Sequence, residues 1–252
     1  MSGHSKWASI KHKKGAADAK RGKLFSRLIR VITVAAREGG GDPKNNAALA
    51  QAIDKAKENN MPADNIDRAI KRGTGEIKGA EYEQITYEAY APNGVAVMIE
   101  VMTDNRNRAA SDVRSILTKH GGNMGAQGSV NWMFSRKGVI LVGKSAGLSE
   151  DEMIDLAIEG GADDVNVGDD HFEIVVDPAA LDNVKKYLTD KGVAIESSEI
   201  TMFPQTTVKL DKDAAKKILR LMDALQDAED VQEVFANFDI PDQILEEIAK
   251  TI

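Results

Sequence analysis

The chain of 252 residues is 42% apolar and 29% charged, with a formal net charge of −7; this is the composition of a soluble globular protein of about one to three domains, long enough to bury a real core. It holds no cysteine, which excludes disulfides, thiolate catalysis and cysteine-ligated metal. No apolar run reaches the roughly 18 residues of a membrane helix, no apolar core of a signal peptide stands at the N-terminus, and these features together predict a reducing, cytoplasmic setting away from membranes.

Residues 1–22 lack a steady apolar period and are broken by Gly3, Gly15 and Gly22. They read as an extended or partly ordered arm, with a short helical stretch around Ala16–Arg21. From Lys23 to Glu38 the pattern becomes helical: Leu24, Leu28, Ile32 and Ala35 recur at spacings of four and three. The run "GGGDP" from Gly39 to Pro43 stops that helix. A second helix is predicted from Lys44 to Asn59 and a third from Pro62 to Gly73, giving a small helical bundle. The stretch from Arg72 to Glu81 reads as a linker.

The period then changes to two. "QITYEAYAPNGVAVMIEVMTD" is strand, Pro-Asn-Gly turn, strand. A helix follows over 106–120, then a strand over 128–136. From Gly138 a complete β-α-β-β-α-β unit can be read, with Ser149 and Glu152 spaced as a capping box. Beyond Pro204 come a strand at 206–210, a helix at 211–226, a strand at 230–238 and a short tail helix from Pro241. With 138–203 set aside, the flanks spell a second β-α-β-β-α-β, and a hairpin tip is where an insertion disturbs least. The predicted fold is α+β: an N-terminal three-helix domain followed by two ferredoxin-like α/β domains, the third inserted into the second. Its predicted ranges are 1–80 for the arm and helical bundle, 81–137 with 204–252 for the second domain, and 138–203 for the third.

Charge is divided between these parts. Residues 1–78 carry 17 basic and 8 acidic side chains, and residues 79–252 carry 16 and 32. Such asymmetry fits one part that meets polyanion and another that does not. The stretch from Ser5 to Arg30 concentrates Lys6, Lys11, Lys13, Lys14, Lys20, Arg21, Lys23, Arg27 and Arg30 against one acid, Asp18. These cations, with His12, are candidate phosphate contacts, because neutralising phosphates releases counterions whatever the sequence. Trp7 among them reads either as a ring stacking on a base or as a plug packing the arm onto the bundle. The acidic remainder reads as a surface for a protein partner or for solubility.

Other chemistry is thin. His4, His12, His120 and His171 show no metal-ligand spacing, so no metal or cofactor is expected. "GGNMGAQG" (Gly121 to Gly128) follows a helix and precedes a strand, the reverse of a phosphate loop. No nucleophile elbow is present, and no enzymatic activity is expected. In "TDNRNR", Arg106 and Arg108, with Arg114 further on, are either solvated beside an N-cap at Asp104 or Asn105 or an anion or partner contact at a helix start.

The segments "GHSKWASIKHKKGAADAKRGKLFSRLIR", "MPADNIDRAIKRGTG", "YEAYAPNGVAVMIEVMTDNRNR" and "GSVNWMF" resemble the YebC/PmpR family of bacterial proteins, whose mitochondrial relatives act as translational activators. The resemblance spans Gly3 to about Phe238. Val31 stands where the family often has an acid, and Ala89 and Asn93 where Gly is common. The resemblance implies a three-domain, non-enzymatic protein, the third domain inserted into the second. It implies a DNA-binding transcriptional regulator or, alternatively, a ribosome-associated translation factor binding ribosomal RNA through the same basic head.

Overall fold

The computed structural model describes residues 18–144, 147–168 and 170–251. It is an α+β chain, a helical unit followed by two α/β units, the second of them set within the first. Helix α1 runs Asp18–Gly39, starting five residues before the sequence period becomes regular. Helices α2 (Ala47–Glu58) and α3 (Ala63–Gly73) pack against it. The turn between α1 and α2 is tied by one side chain. Asn46 Oδ1 accepts the Leu49 N–H at 3.0 Å, while its amide donates to the carbonyls of Ala35 and Gly40. This cap sets the start of α2 at Ala47 rather than Lys44. The shared core holds Leu28, Ile32, Leu49, Ala56, Ile66 and Ala69. At Gly73, α3 comes so close to α1 that a Cβ would stand 2.4 Å from the Thr33 carbonyl.

Strands β1 (Glu83–Tyr90) and β2 (Ala96–Thr103) form the expected hairpin, paired from Glu83↔Thr103 to Tyr90↔Ala96. The turn at Pro92–Gly94 is tight, with Asn93 and Gly94 both at positive φ. Helix α4 (Arg106–Lys119) and strand β3 (Asn123–Met124) follow. After the inserted unit come β8 (Val208–Lys209), helix α7 (Lys212–Gln226), β9 (Val231–Ala236), β10 (Phe238–Asp239) and helix α8 (Asp242–Thr251). The sheet order is β3-β1-β2-β9, antiparallel throughout. Helices α4 and α7 cover one face, burying Val97, Ile99, Leu117, Ile218 and Leu221, and Leu245 and Ile248 of α8 close the same core.

Two expected strands do not join this sheet. Residues 131–133 form a single 3₁₀ turn, and β8 pairs only with β10, in parallel. For the first of these the physical reason lies in Glu88 on β1. Its buried carboxylate accepts the N–H groups of Gly128, Val130 and Asn131 at 2.6–2.9 Å, donors that a strand there would have given to a ladder. The hairpin strand β1, held in full register by its short turn, lies beside β2 instead.

The inserted unit holds β4 (Phe134–Gly143), helix α5 (Glu150–Glu159), β5 (Asp164–Val167), β6 (His171–Val176), helix α6 (Leu181–Asp190) and β7 (Ile195–Pro204). Its sheet order is β5-β6-β4-β7, all antiparallel, the ferredoxin-like arrangement. The Ser149–Glu152 capping box opens α5 as the sequence predicts. Ile140, Val142, Phe172, Ile174 and Leu188 face the two helices. Strands β4 and β7 pair from Phe134↔Pro204 inward, so the unit enters and leaves on one two-stranded stalk. At its base Phe134 packs with Met98, Val130 and Phe235, joining the stalk to the uncovered face of the first sheet.

Candidate nucleic-acid interface

Lys6, Trp7, Lys11, His12, Lys13 and Lys14 lie outside the described residues. Lys20 and Arg21 belong to the first turns of α1. The other three basic candidates, Lys23, Arg27 and Arg30, share one face of α1 by their spacing of four and three. That face meets the turn between α7 and β9. Lys23 donates to the Asp227 carbonyl at 3.1 Å. Arg27 donates to the Gln226 carbonyl and Arg30 to that of Glu229. Arg30 also reaches the carboxylates of Glu229 at 3.0 Å and Asp230 at 3.2 Å, and lies over the Tyr82 ring.

The acceptors are what physical chemistry places there. Helix α7 ends at Gln226 and leaves its last carbonyls without helical partners, at the negative end of its dipole. The run "DAED" from Asp227 to Asp230 adds carboxylates. Burial pulls the Arg27 pKa below its ordinary value, with Arg30 acting in the same direction and Asp227 opposing.

Asp230 is the centre of this contact, its side chain 8% exposed. It accepts from Thr103 Oγ1 at 2.9 Å and from Arg108 at 3.0 Å, in addition to pairing with Arg30. Thus α1, the end of β2, the start of α4 and the start of β9 converge on one carboxylate. Hydrogen bonds to Asp230, then to Asp104, push the Arg108 pKa up. Arg106 pairs with Glu83 at 3.1 Å. Asn105, not Asp104, caps α4, accepting the Arg108 N–H at 3.1 Å. Arg114 stands apart, lining a shallow surface concavity with Ser111, Ser115, Thr118 and Lys119. Asp230 was not a candidate in the sequence. Its signal was the acidic run after an amphipathic helix, about 200 residues from the arginine it holds.

Among the described residues, no group of three or more His, Asp or Glu side chains could hold a metal ion. No helix there is long and apolar enough to cross a membrane.

Comparison with known proteins divides the chain where the linker does. Residues 5–76 match the TACO1/YebC protein N-terminal domain, and residues 82–238 match the TACO1/YebC second and third domain. A protein of Halothermothrix orenii named "Probable transcriptional regulatory protein" is 55% identical over 252 residues, 99% of this chain and all of the relative. One of the same name from Rubrobacter xylanophilus is 56% identical over 250 residues, again 99% of this chain and all of the relative. The crystal structure of a conserved hypothetical protein of Aquifex aeolicus superposes with a TM-score of 0.74 at 50% identity, covering 89% of this chain and 93% of that one. With both matched regions and full-length relatives in agreement, the chain belongs to the TACO1/YebC family.

Proposed function

We propose that this protein is a nucleic-acid-binding regulatory protein, a DNA-binding transcriptional regulator that grips phosphate through its N-terminal arm. The observation that carries the reading is the charge of the arm: Lys6, Lys11, Lys13, Lys14, Lys20 and Arg21 against the single acid Asp18. Phosphate contact of this kind is independent of sequence and strong at low salt. Of the α1 candidates, Arg30 is buried against Glu229 and Asp230, while Lys23 stays more than half exposed and remains a candidate with the arm's cations, His12 and Trp7. The regulatory name carried by full-length relatives supports the same reading.

A second reading has the arm bind ribosomal RNA as part of a translation factor. It is favoured by the resemblance to mitochondrial translational activators, and phosphate attraction serves RNA as well as DNA. In either reading the acidic α/β units face a protein partner or keep the molecule in solution.

Crosslinking in growing cells, followed by sequencing of bound DNA and RNA, tests this. Enrichment of promoter DNA is the expected result. Enrichment of ribosomal RNA would favour the second reading, and enrichment of neither would overturn both.

A further inference from the structure

The α/β part of the chain is strongly acidic, yet one long stretch of it is not. From Val113 to Ser149 there is no Asp or Glu, while Arg114, Lys119, Arg136, Lys137 and Lys144 all fall within it. Lys137 and Lys144 are paired with Asp163 and Glu150. Arg114 and Lys119 have no ion-pair partner among the described residues but lie on the exposed face of α4, across the sheet from Val130 and Phe134, whereas Arg136 is exposed on β4 two residues beyond Phe134. The chain then turns round the edge of the first sheet, where β3 pairs with the end of β1. It continues through the loop 125–131 to Trp132.

That loop is built with care around an exposed ring. Glu88 anchors three of its N–H groups. Tyr90 donates its hydroxyl to the Ser129 carbonyl at 2.9 Å, and Trp132 donates its indole N–H to the same oxygen at 3.1 Å. The one polar atom of the indole is therefore satisfied within the protein. Its side chain is nevertheless 65% exposed, the most exposed of the large hydrophobic residues described. An indole left bare on a surface, with its edge tied down and its loop pinned, is a prepared stacking platform. Gln127, Asn131 and Asn123 stand exposed along the same segment. Their side-chain amides offer a donor and an acceptor each, the pairing that nucleobase edges present.

We propose that Trp132 stacks on an unpaired nucleobase, making the loop 125–131 with Trp132 and Arg136 a second nucleic-acid contact, for single strands, distinct from the basic arm. The proposal rests on the reading of the protein as a nucleic-acid binder. Arg136, exposed four residues beyond Trp132 and without an ion pair among the described residues, supplies a cation for a phosphodiester on this face, with the acid Glu100 in electrostatic reach. The face of a ring accepts any base, so the contact selects for strandedness rather than sequence.

The test uses the full chain as wild type, Trp132→Ala and Trp132→Phe. Binding to end-labelled single-stranded RNA, single-stranded DNA of the same sequence, and the matching duplex is followed by anisotropy. Trp132→Ala is expected to weaken single-strand binding by about 5- to 150-fold, the equivalent of one stacked base, and to leave duplex binding unchanged. Trp132→Phe keeps a ring and recovers part of the loss. A loss on RNA alone supports the proposal and identifies the strand as RNA; equal losses on both support it with the base alone recognised. Unchanged single-strand affinity in Trp132→Ala overturns it and leaves the indole as a protein contact, while duplex binding by the wild type would keep the arm reading intact. If the wild type binds none of the three, the arm reading fails and this proposal with it.

Discussion

Arg30 on α1 and Asp230 at the foot of β9 form an ion pair at 3.2 Å with both side chains nearly buried, 7% and 8% exposed. The pair couples the helical unit to the first α/β sheet. A charge pair out of water contributes little net stability when intact, but removing one partner strands the other. Here the stranding would be partial: Arg30, Arg108 and Thr103 would all lose a shared carboxylate, but Arg30 would keep Glu229 and Arg108 would keep Asp104.

Asp230→Ala is therefore expected to destabilise the protein by ~1–3 kcal/mol in urea unfolding. A loss below about 1 kcal/mol, the size of a surface pair, would contradict the burial of this contact.

Glu88 gives a pH-dependent prediction. Burial by itself pushes its carboxyl upward, but the N–H groups of Val130, Gly128, Asn131 and Ser129 together outweigh it and hold the pKa below its ordinary value of 4.5. The group contributes stability that is complete above the unfolded pKa and is lost as pH falls through the lower folded value. In a Trp7→Phe chain, Trp132 emission should be steady above about pH 4.5 and shift only as pH falls below it. Glu88→Gln should show the shifted emission at neutral pH. Identical emission in both chains at pH 7 would mean that Glu88 does not hold the loop.

Much of the architecture is legible in the sequence, for physical reasons that can be named. The hairpin is local: eight paired positions closed by Pro-Asn-Gly specify their own register. The inserted unit is legible because each of its elements has a clear period and α5 carries its own cap. The segment 128–136 misleads because its first half, with strand-like Val130, is bent by an acceptor, Glu88, that lies about 40 residues earlier in the chain, while Phe134 and its successors join β4. For the candidate site, sequence spacing places Lys23, Arg27 and Arg30 on one face. It gives no sign that the face is turned towards Asp227–Asp230, since that pairing is set by how whole units pack.

Gly73 tests the packing of the helical unit. Gly73→Ala would put a methyl group 2.4 Å from the Thr33 carbonyl and 2.7 Å from Ala36 Cβ. Forcing α3 away from α1 is expected to cost ~1–3 kcal/mol, read as a lower midpoint in thermal unfolding. An unchanged midpoint would contradict the close approach.

Removal of residues 1–17 separates arm from scaffold. Helix α1 begins at Asp18, and its docking residues start at Lys23, so the truncated chain should unfold with the midpoint of the full chain. It should lose most of its affinity for duplex DNA and ribosomal RNA. Affinity equal to that of the full chain would place the phosphate contacts elsewhere.

The central claim is that the arm's charge grips phosphate, and a salt titration of binding measures this most directly. For duplex DNA the slope of log K against log salt is about −0.9 per neutralised phosphate. Changing Lys11, Lys13 and Lys14 together to Ala should make the slope shallower by up to roughly 3 units, whereas Trp7→Ala should lower affinity by ~1–3 kcal/mol if its ring stacks, with the slope unchanged. A slope that the triple change leaves untouched would contradict the account, and those lysines would then be solvated surface or contacts to the chain's own acidic units.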